Sequence, residues 1–250
     1  MKTLPRTCSK ATSIVEEARK RGVEMRILGA CAFRIHCPHT HSFFETVKRP
    51  ITDIDLITLG KFRDKVTEIM RHFGFTPNER FNWVHGGRRY LFHLENELKA
   101  DVFFDKLEMS HIIDLRERLT VDYPTISVAD MLLEKTQIVK IAEKDIVDLI
   151  ALLLEHPIGG DDVEKVNVNY ISKLLSDDWG FYHTCTSNLR KIEHFLAEYS
   201  IPAEDKETVS SRIKELVSHI EAEPKSLKWR MRQRLGERVK WYSEVSDVST

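Results

Sequence analysis

A chain of 250 residues with 42% hydrophobic and 31% charged residues, 10 Gly and 8 Pro can bury a real core and is neither collagen-like nor largely disordered. Its formal net charge of −1 names no partner by itself. Four irregularly spaced cysteines (Cys8, Cys31, Cys37, Cys185), an N-terminus with no apolar h-region and a longest apolar run, Ile146 to Leu154, that is short and broken by Asp148 argue for a reduced, cytoplasmic protein with no membrane contact.

Ser13 to Arg21 is a helix candidate, with Ile14, Val15 and Ala18 on one side and Gly22 as its stop. Met25 to Leu28 reads as a short buried strand, and Gly29-Ala30 begins a new element. Ile54 to Thr58 is a second strand. Phe62, Val66, Ile69, Met70 and Phe73 have helical spacing up to Gly74. Short β-like runs follow at Arg80 to Val84, Arg89 to His93 and Lys99 to Phe104, with Gly86-Gly87 as a hairpin signal and Glu95-Asn96-Glu97 as a polar turn. Glu117 to Val121 is a further strand candidate.

After Pro124 the pattern changes. Ser127 can cap a helix running through Leu133 to Val139, and Asp145 to His156 forms another. Pro157-Ile158-Gly159-Gly160 marks a loop and a candidate boundary. Beyond it, helices are expected over Asn169 to Leu175, Thr186 to Tyr199, Lys206 to Ile220 and Ser226 to Tyr242. Strands followed by helices predict an α+β fold with an all-helical C-terminal part, divided into residues 1–125 and 126–250.

The strongest chemical signal is Arg49-Pro50-Ile51-Thr52-Asp53-Ile54-Asp55. Side chains alternate along a strand, so Asp53 and Asp55 share one face while Thr52, Ile54 and Leu56 take the other. Two adjacent carboxylates repel unless a cation lies between them, and hard oxygen ligands suit Mg²⁺. A polar strand end with two solvated aspartates is the competing reading. Asp101, between apolar Ala100 and Val102 on a later strand, adds a third acidic position. Three such positions on two strands can hold two metal ions, with Mn²⁺ as a substitute for Mg²⁺. Asp105 reads as a strand-end residue.

Leu28-Gly29-Ala30, Asp53-Ile54-Asp55 and Ala100-Asp101-Val102, in that order, resemble the three signatures of the DNA polymerase β-type nucleotidyltransferase superfamily. The resemblance is closest to its bacterial branch of abortive-infection toxins, and Lys135 with Lys144-Asp145-Ile146-Val147-Asp148-Leu149 extends it over residues 25 to 155. It implies a short mixed sheet with flanking helices in residues 1–125 and a helical part in 126–250 whose first helices complete the active site. It also implies transfer of a nucleoside monophosphate from an NTP to a hydroxyl, with release of pyrophosphate. Asp53, Asp55 and Asp101 would be the metal ligands. Gly29, Ala30, Arg49, Thr52 and Lys135 would contact the nucleotide, and Asp145 would position Lys135 or the acceptor. Asp148 is a second candidate for that role, and pairing along the helix with Lys144 is the competing account of both. The acceptor would be tRNA or another RNA, a protein or a small molecule, and an antitoxin would be a further partner. Retention of the fold for binding without chemistry is the alternative. Two departures stand out: Ala30 replaces the usual second Gly or Ser, and the stretch between Gly29 and Asp53 is long. That stretch contains His36-Cys37-Pro38-His39-Thr40-His41, which lacks zinc-site spacing and reads as a surface loop.

In the C-terminal half, Asp177-Asp178-Trp179-Gly180-Phe181-Tyr182 reads as helix-packing aromatics, with base stacking as the alternative. The basic segment Lys225 to Lys240, with Trp229 and Trp241 in or beside it, reads as a packed helix, with RNA contact as the alternative.

Overall fold

The computed structural model describes residues 4–94, 98–199 and 201–245. The Glu95-Asn96-Glu97 turn lies outside the described residues. In chain order the elements are α1 (Arg6–Lys20), β1 (Met25–Leu28), α2 (Gly29–His36), α3 (His41–Thr46), β2 (Asp53–Thr58), α4 (Arg63–His72), β3 (Thr76–Pro77), α5 (Glu79–His85), β4 (Arg89–Leu94), β5 (Leu98–Phe104), β6 (Lys106–Glu108) and β7 (Ile112–Asp114). There follow α6 (Val128–Thr136), α7 (Glu143–Glu155), β8 (Ile158–Gly159), β9 (Val166–Asn167), α8 (Val168–Asp177), α9 (Trp179–Phe195), α10 (Ala203–Ala222) and α11 (Leu227–Leu235). The fold is α+β. No helix among the described residues is long and apolar enough to cross a membrane.

The chain forms two compact units. The first comprises the residues up to His41, Lys48–Glu108 and Ile113–Ser127. It is built on a five-stranded mixed sheet in the order β1-β2-β5-β4-β3, in which β2 and β5 run parallel and the other pairs antiparallel. The apolar alternation explains its core: Ile54, Leu56, Ala100 and Val102 are fully buried, and α1 packs on β1 and β2 through Ile14, Val15 and Ala18. Helix α1 starts well before Ser13 because Cys8 and Ala11 extend the same buried stripe. Small residues made that extension inconspicuous in the sequence.

The second unit comprises Ser42–Val47, Met109–Ile112 and the residues from Val128 on. Its centre is α6, buried at every position and packed against α7, α8 and α9. The Pro157-to-Gly160 loop lies inside this unit, where Ile158 and Gly159 pair in parallel with Val166 and Asn167.

Three expected elements differ. Arg80 to Val84 is part of helix α5 and not a strand, so Gly86-Gly87 ends a helix instead of turning a hairpin. Asn78 caps that helix by accepting from Phe81 N at 3.0 Å. Asn82 Oδ1 accepts from Leu91 N at 2.7 Å, so side chains dock the segment onto β4 where a strand would need a ladder. Glu117 to Val121 forms turns closed by bonds such as Val121 N to Arg118 O at 3.1 Å. The last helix stops at Leu235, because Gly236 adopts φ +56°, a left-handed conformation that ends helices.

Candidate active site

Register between two parallel strands assembles the acidic cluster. Asp55 on β2 lies directly opposite Asp101 on β5, and Asp53 lies opposite Lys99. Alternation puts Asp53 on the same face as Asp55, and all three carboxylates are partly exposed, opposite the fully buried Ile54 and Leu56 face. The donors are all oxygens, a set suited to Mg²⁺ or Mn²⁺.

Gly29 closes this site from the side of β1. The residue before it, Leu28, stands opposite Asp55 in the antiparallel pair of β1 and β2, and Gly29 is the first residue of α2 with φ +66°. A Cβ at this position would lie 2.1 Å from Asp55 Oδ2 and 3.0 Å from its Cγ. Only glycine tolerates both the backbone conformation and that approach. The Asp55 carboxylate thus sits at the start of a helix, where negative charge is favoured. Two residues on, Cys31 is held far above the usual thiol value by its hydrogen bond with Cys8, by burial and by the charges of Cys8, Asp55 and Asp53. It is therefore not a nucleophile.

Asp101 has a partner that the sequence did not flag. Arg89 of β4 brings its Nε to 2.7 Å from Asp101 Oδ1. Burial pushes the Asp101 carboxyl up to about 6, the Arg89 charge pulls it down, and Asp53 raises it again. Because the folded value lies above the ordinary carboxyl value of 3.8, the protonated form carries the stability. That contribution is complete below about pH 4 and is lost as pH rises through about 6. Asp101→Asn should therefore stabilise the metal-free protein at pH 7.5 by up to about 3 kcal/mol, at 1.36 kcal/mol per unit. Thermal denaturation in EDTA checks this, and the gain should vanish near pH 4. Added Mg²⁺ should raise the midpoint of the original protein and not that of Asp101→Asn.

The remaining expected nucleotide contacts are placed as follows. Thr52 is exposed, and its hydroxyl donates to Asp53 Oδ1 at 3.3 Å. The Arg49 guanidinium bonds the Pro50 carbonyl, while Arg49 O accepts from Arg34 Nη2 at 2.6 Å. Ala30 occupies the first turn of α2. Asp105 is a structural residue, with φ +64° and its Oδ1 accepting from Gly60 N at 2.9 Å. The His36-to-His41 stretch is more than a surface loop. His36 Nε2 is 2.6 Å from Thr125 Oγ1 and 3.3 Å from Asp122 Oδ2, and Cys37 and Thr40 are buried.

Lys135 lies in the second unit, on α6. Its Nζ is 2.9 Å from Asp145, 3.5 Å from Asp148 and 3.8 Å from Glu134. Burial draws the ammonium down, but Glu134, Asp148 and Asp145 outweigh it and hold the group above the ordinary lysine value. Lys135 is thus permanently charged. Asp145 and Asp148 both face this lysine, Asp145 more closely.

The aromatic stretch of α9 packs helices together. Phe181 stacks on His111 with ring centroids 5.0 Å apart. Trp179 stacks on His183 at 4.9 Å, and Tyr182 meets the buried Trp229 of α11 at 5.0 Å. Arg232 of the basic segment lies 4.8 Å above Trp179 and donates to Gly236 O at 2.8 Å. The aromatic face of the basic tail is therefore committed to packing. His111 Nε2 also bonds Thr184 Oγ1, at 2.8 Å, and Thr184 accepts from Trp241 Nε1 at 3.1 Å.

Burial holds His111 down to about 4, with Asp178 opposing. The unfolded chain binds the proton more readily between about pH 6.5 and 4, so stability is full above 6.5 and falls as pH drops through that window. The loss should approach about 3 kcal/mol at 1.36 kcal/mol per unit. Denaturant unfolding followed by tryptophan fluorescence checks it, and His111→Gln should flatten the acid slope.

No protein-family model matches the chain, and no curated protein sequence matches it. Among solved structures it is similar to the solution structure of the antibiotic-resistance factor ANT(2'')-Ia, at 14% identity over 91% of each chain, with a TM-score of 0.33. A likeness that loose carries no weight for fold or chemistry, which rest on the chain's own geometry.

Proposed function

We propose that this protein is a Mg²⁺-dependent nucleotidyltransferase of the polymerase β type, moving a nucleoside monophosphate from an NTP to a hydroxyl acceptor. One observation carries the reading: Asp55 and Asp101 stand in register on parallel strands, with Asp53 on the same face and the helix-starting Gly29 against Asp55. The glycine, the paired aspartates and the third carboxylate thus lie on adjoining elements, in the order that the resemblance requires. The all-oxygen set and the unfavourable charge on Asp101 fit a divalent cation better than they fit solvent.

In this reading Asp53, Asp55 and Asp101 hold Mg²⁺, or Mn²⁺ in its place. The bound metal supplies charge neutralisation for the triphosphate and for the attacking oxygen. Asp101 would complete the metal site beside the acceptor hydroxyl and help to deprotonate it. The first turn of α2, opened by Gly29 and Ala30, offers backbone N–H groups to the phosphates. The acceptor is a hydroxyl of an RNA, a protein or a small molecule. Incubation with each α-labelled NTP, Mg²⁺, and either total RNA or cell extract should transfer label in the presence of metal and not in EDTA. Absence of transfer to either acceptor pool, with nucleotide bound, favours the alternative of a binding protein without chemistry.

A further inference from the structure

We propose that Arg89 is a substrate-binding residue, which exchanges Asp101 for a phosphate oxygen of the bound nucleotide. The inference rests on the nucleotidyl-transfer reading above. Arg89 enters from β4, where its own backbone lies opposite Phe103 and Leu91 lies opposite Asp101. Its side chain therefore reaches diagonally across to the carboxylate, 2.7 Å away. The guanidinium is flanked by two rings, Phe81 of α5 at 5.2 Å and Phe103 of β5 at 5.4 Å. Those rings hold the cation beside the acidic cluster independently of its ion partner.

The pair with Asp101 is a poor end state for either group. Arg89 Nε and Asp101 Oδ1 are both buried and without a hydrogen-bond partner among the described residues, so the contact is a close ion pair that lacks hydrogen-bond alignment. Charges largely shielded from water that are paired but not well hydrogen-bonded recover only part of their desolvation cost. An Asp101 oxygen that ligates a divalent cation would also place that cation next to the guanidinium, and like charges at this range repel strongly. A phosphate oxygen beside the carboxylates removes both difficulties. The flat guanidinium, with five donors, fits phosphate as well as it fits carboxylate. The competing account is a structural brace that ties β4 to β5.

Two variants separate these accounts. Arg89→Met keeps aliphatic bulk between the rings and removes the charge, whereas Arg89→Lys keeps the charge and loses the fork. Mn²⁺ binding without nucleotide is read by electron paramagnetic resonance. Binding of ATP, GTP, CTP and UTP at saturating Mn²⁺ is then read by calorimetry. Arg89→Met should bind Mn²⁺ at least as tightly as the original protein. Its nucleotide affinity should fall about 10-fold or more, the loss expected for a charge-assisted hydrogen bond, with Arg89→Lys in between. Unchanged nucleotide affinity in Arg89→Met overturns the proposal, and so does a loss of Mn²⁺ binding together with thermal stability, which is the mark of a brace. An original protein that binds no Mn²⁺ overturns the metal reading and this inference together. One that binds Mn²⁺ and nucleotide, with both variants indifferent, overturns this inference alone.

Discussion

Changing Asp53 and Asp55 together to Asn abolishes NTP-dependent labelling of every acceptor, a loss of at least about 10³-fold. A single well-placed electrostatic contact in a transition state is commonly worth roughly 10²–10³ in rate, and here two of the three proposed metal carboxylates are removed. The substitutions keep side-chain size, and Ile54 between them stays fully buried, so the sheet should form as before. Removing two like charges from one face should leave thermal stability in EDTA equal to or above that of the original protein. Lost labelling with an intact melting transition is therefore the expected pair of results. Turnover retained by the double variant would falsify the two-carboxylate scheme.

Gly29→Ala should come close to that loss without touching any carboxylate. The new methyl would lie 2.1 Å from Asp55 Oδ2 and 3.1 Å from its Cβ, so rotation of the carboxylate tip alone cannot relieve it. The φ of +66° adds roughly 1–2 kcal/mol of backbone strain for a residue with a Cβ. The chain should fold with reduced stability, and Asp55 should be driven out of line with Asp101. Mn²⁺ affinity measured by paramagnetic resonance should drop in parallel with labelling. If Gly29→Ala melts several degrees lower but binds Mn²⁺ as before, the glycine serves the turn at the end of β1 and not the site. Gly22, also at positive φ with nothing within 4 Å of an added Cβ, is the control: Gly22→Ala should lose stability alone.

The parts of the site that could be read from the chain are those set by short-range geometry. Asp53 and Asp55 share a face because strand side chains alternate, and apolar Ile54 and Leu56 indicated which face is buried. Helix α4 was legible because Val66, Ile69 and Met70 repeat at helical spacing around a buried stripe. The expectation of a strand over Arg80 to Val84 fails for a physical reason. Phe81, Trp83 and Val84 have strand-forming side chains, yet Trp83 is 88% and Val84 59% exposed. The segment's placement comes from Asn78 and Asn82, whose side-chain bonds to backbone are blind to hydrophobic pattern. Arg89 is not legible in the sequence, because an arginine at a strand start resembles any surface charge until the neighbouring strand brings Asp101 to it.

From the sequence alone came an α+β chain, a paired-aspartate strand, a glycine opening a helix, and a third aspartate on an apolar strand. Each depends on intervals of a few residues, over which backbone geometry is nearly fixed. The tertiary structure decided that β2 and β5 run parallel with Asp55 opposite Asp101, that Gly29 rests against Asp55, that Arg89 holds Asp101 and that Lys135 is engaged by Asp145 and Asp148. Strand register and ion pairing join residues far apart in the chain. They are chosen by how the whole apolar face packs, a sum over many side chains that no local interval contains.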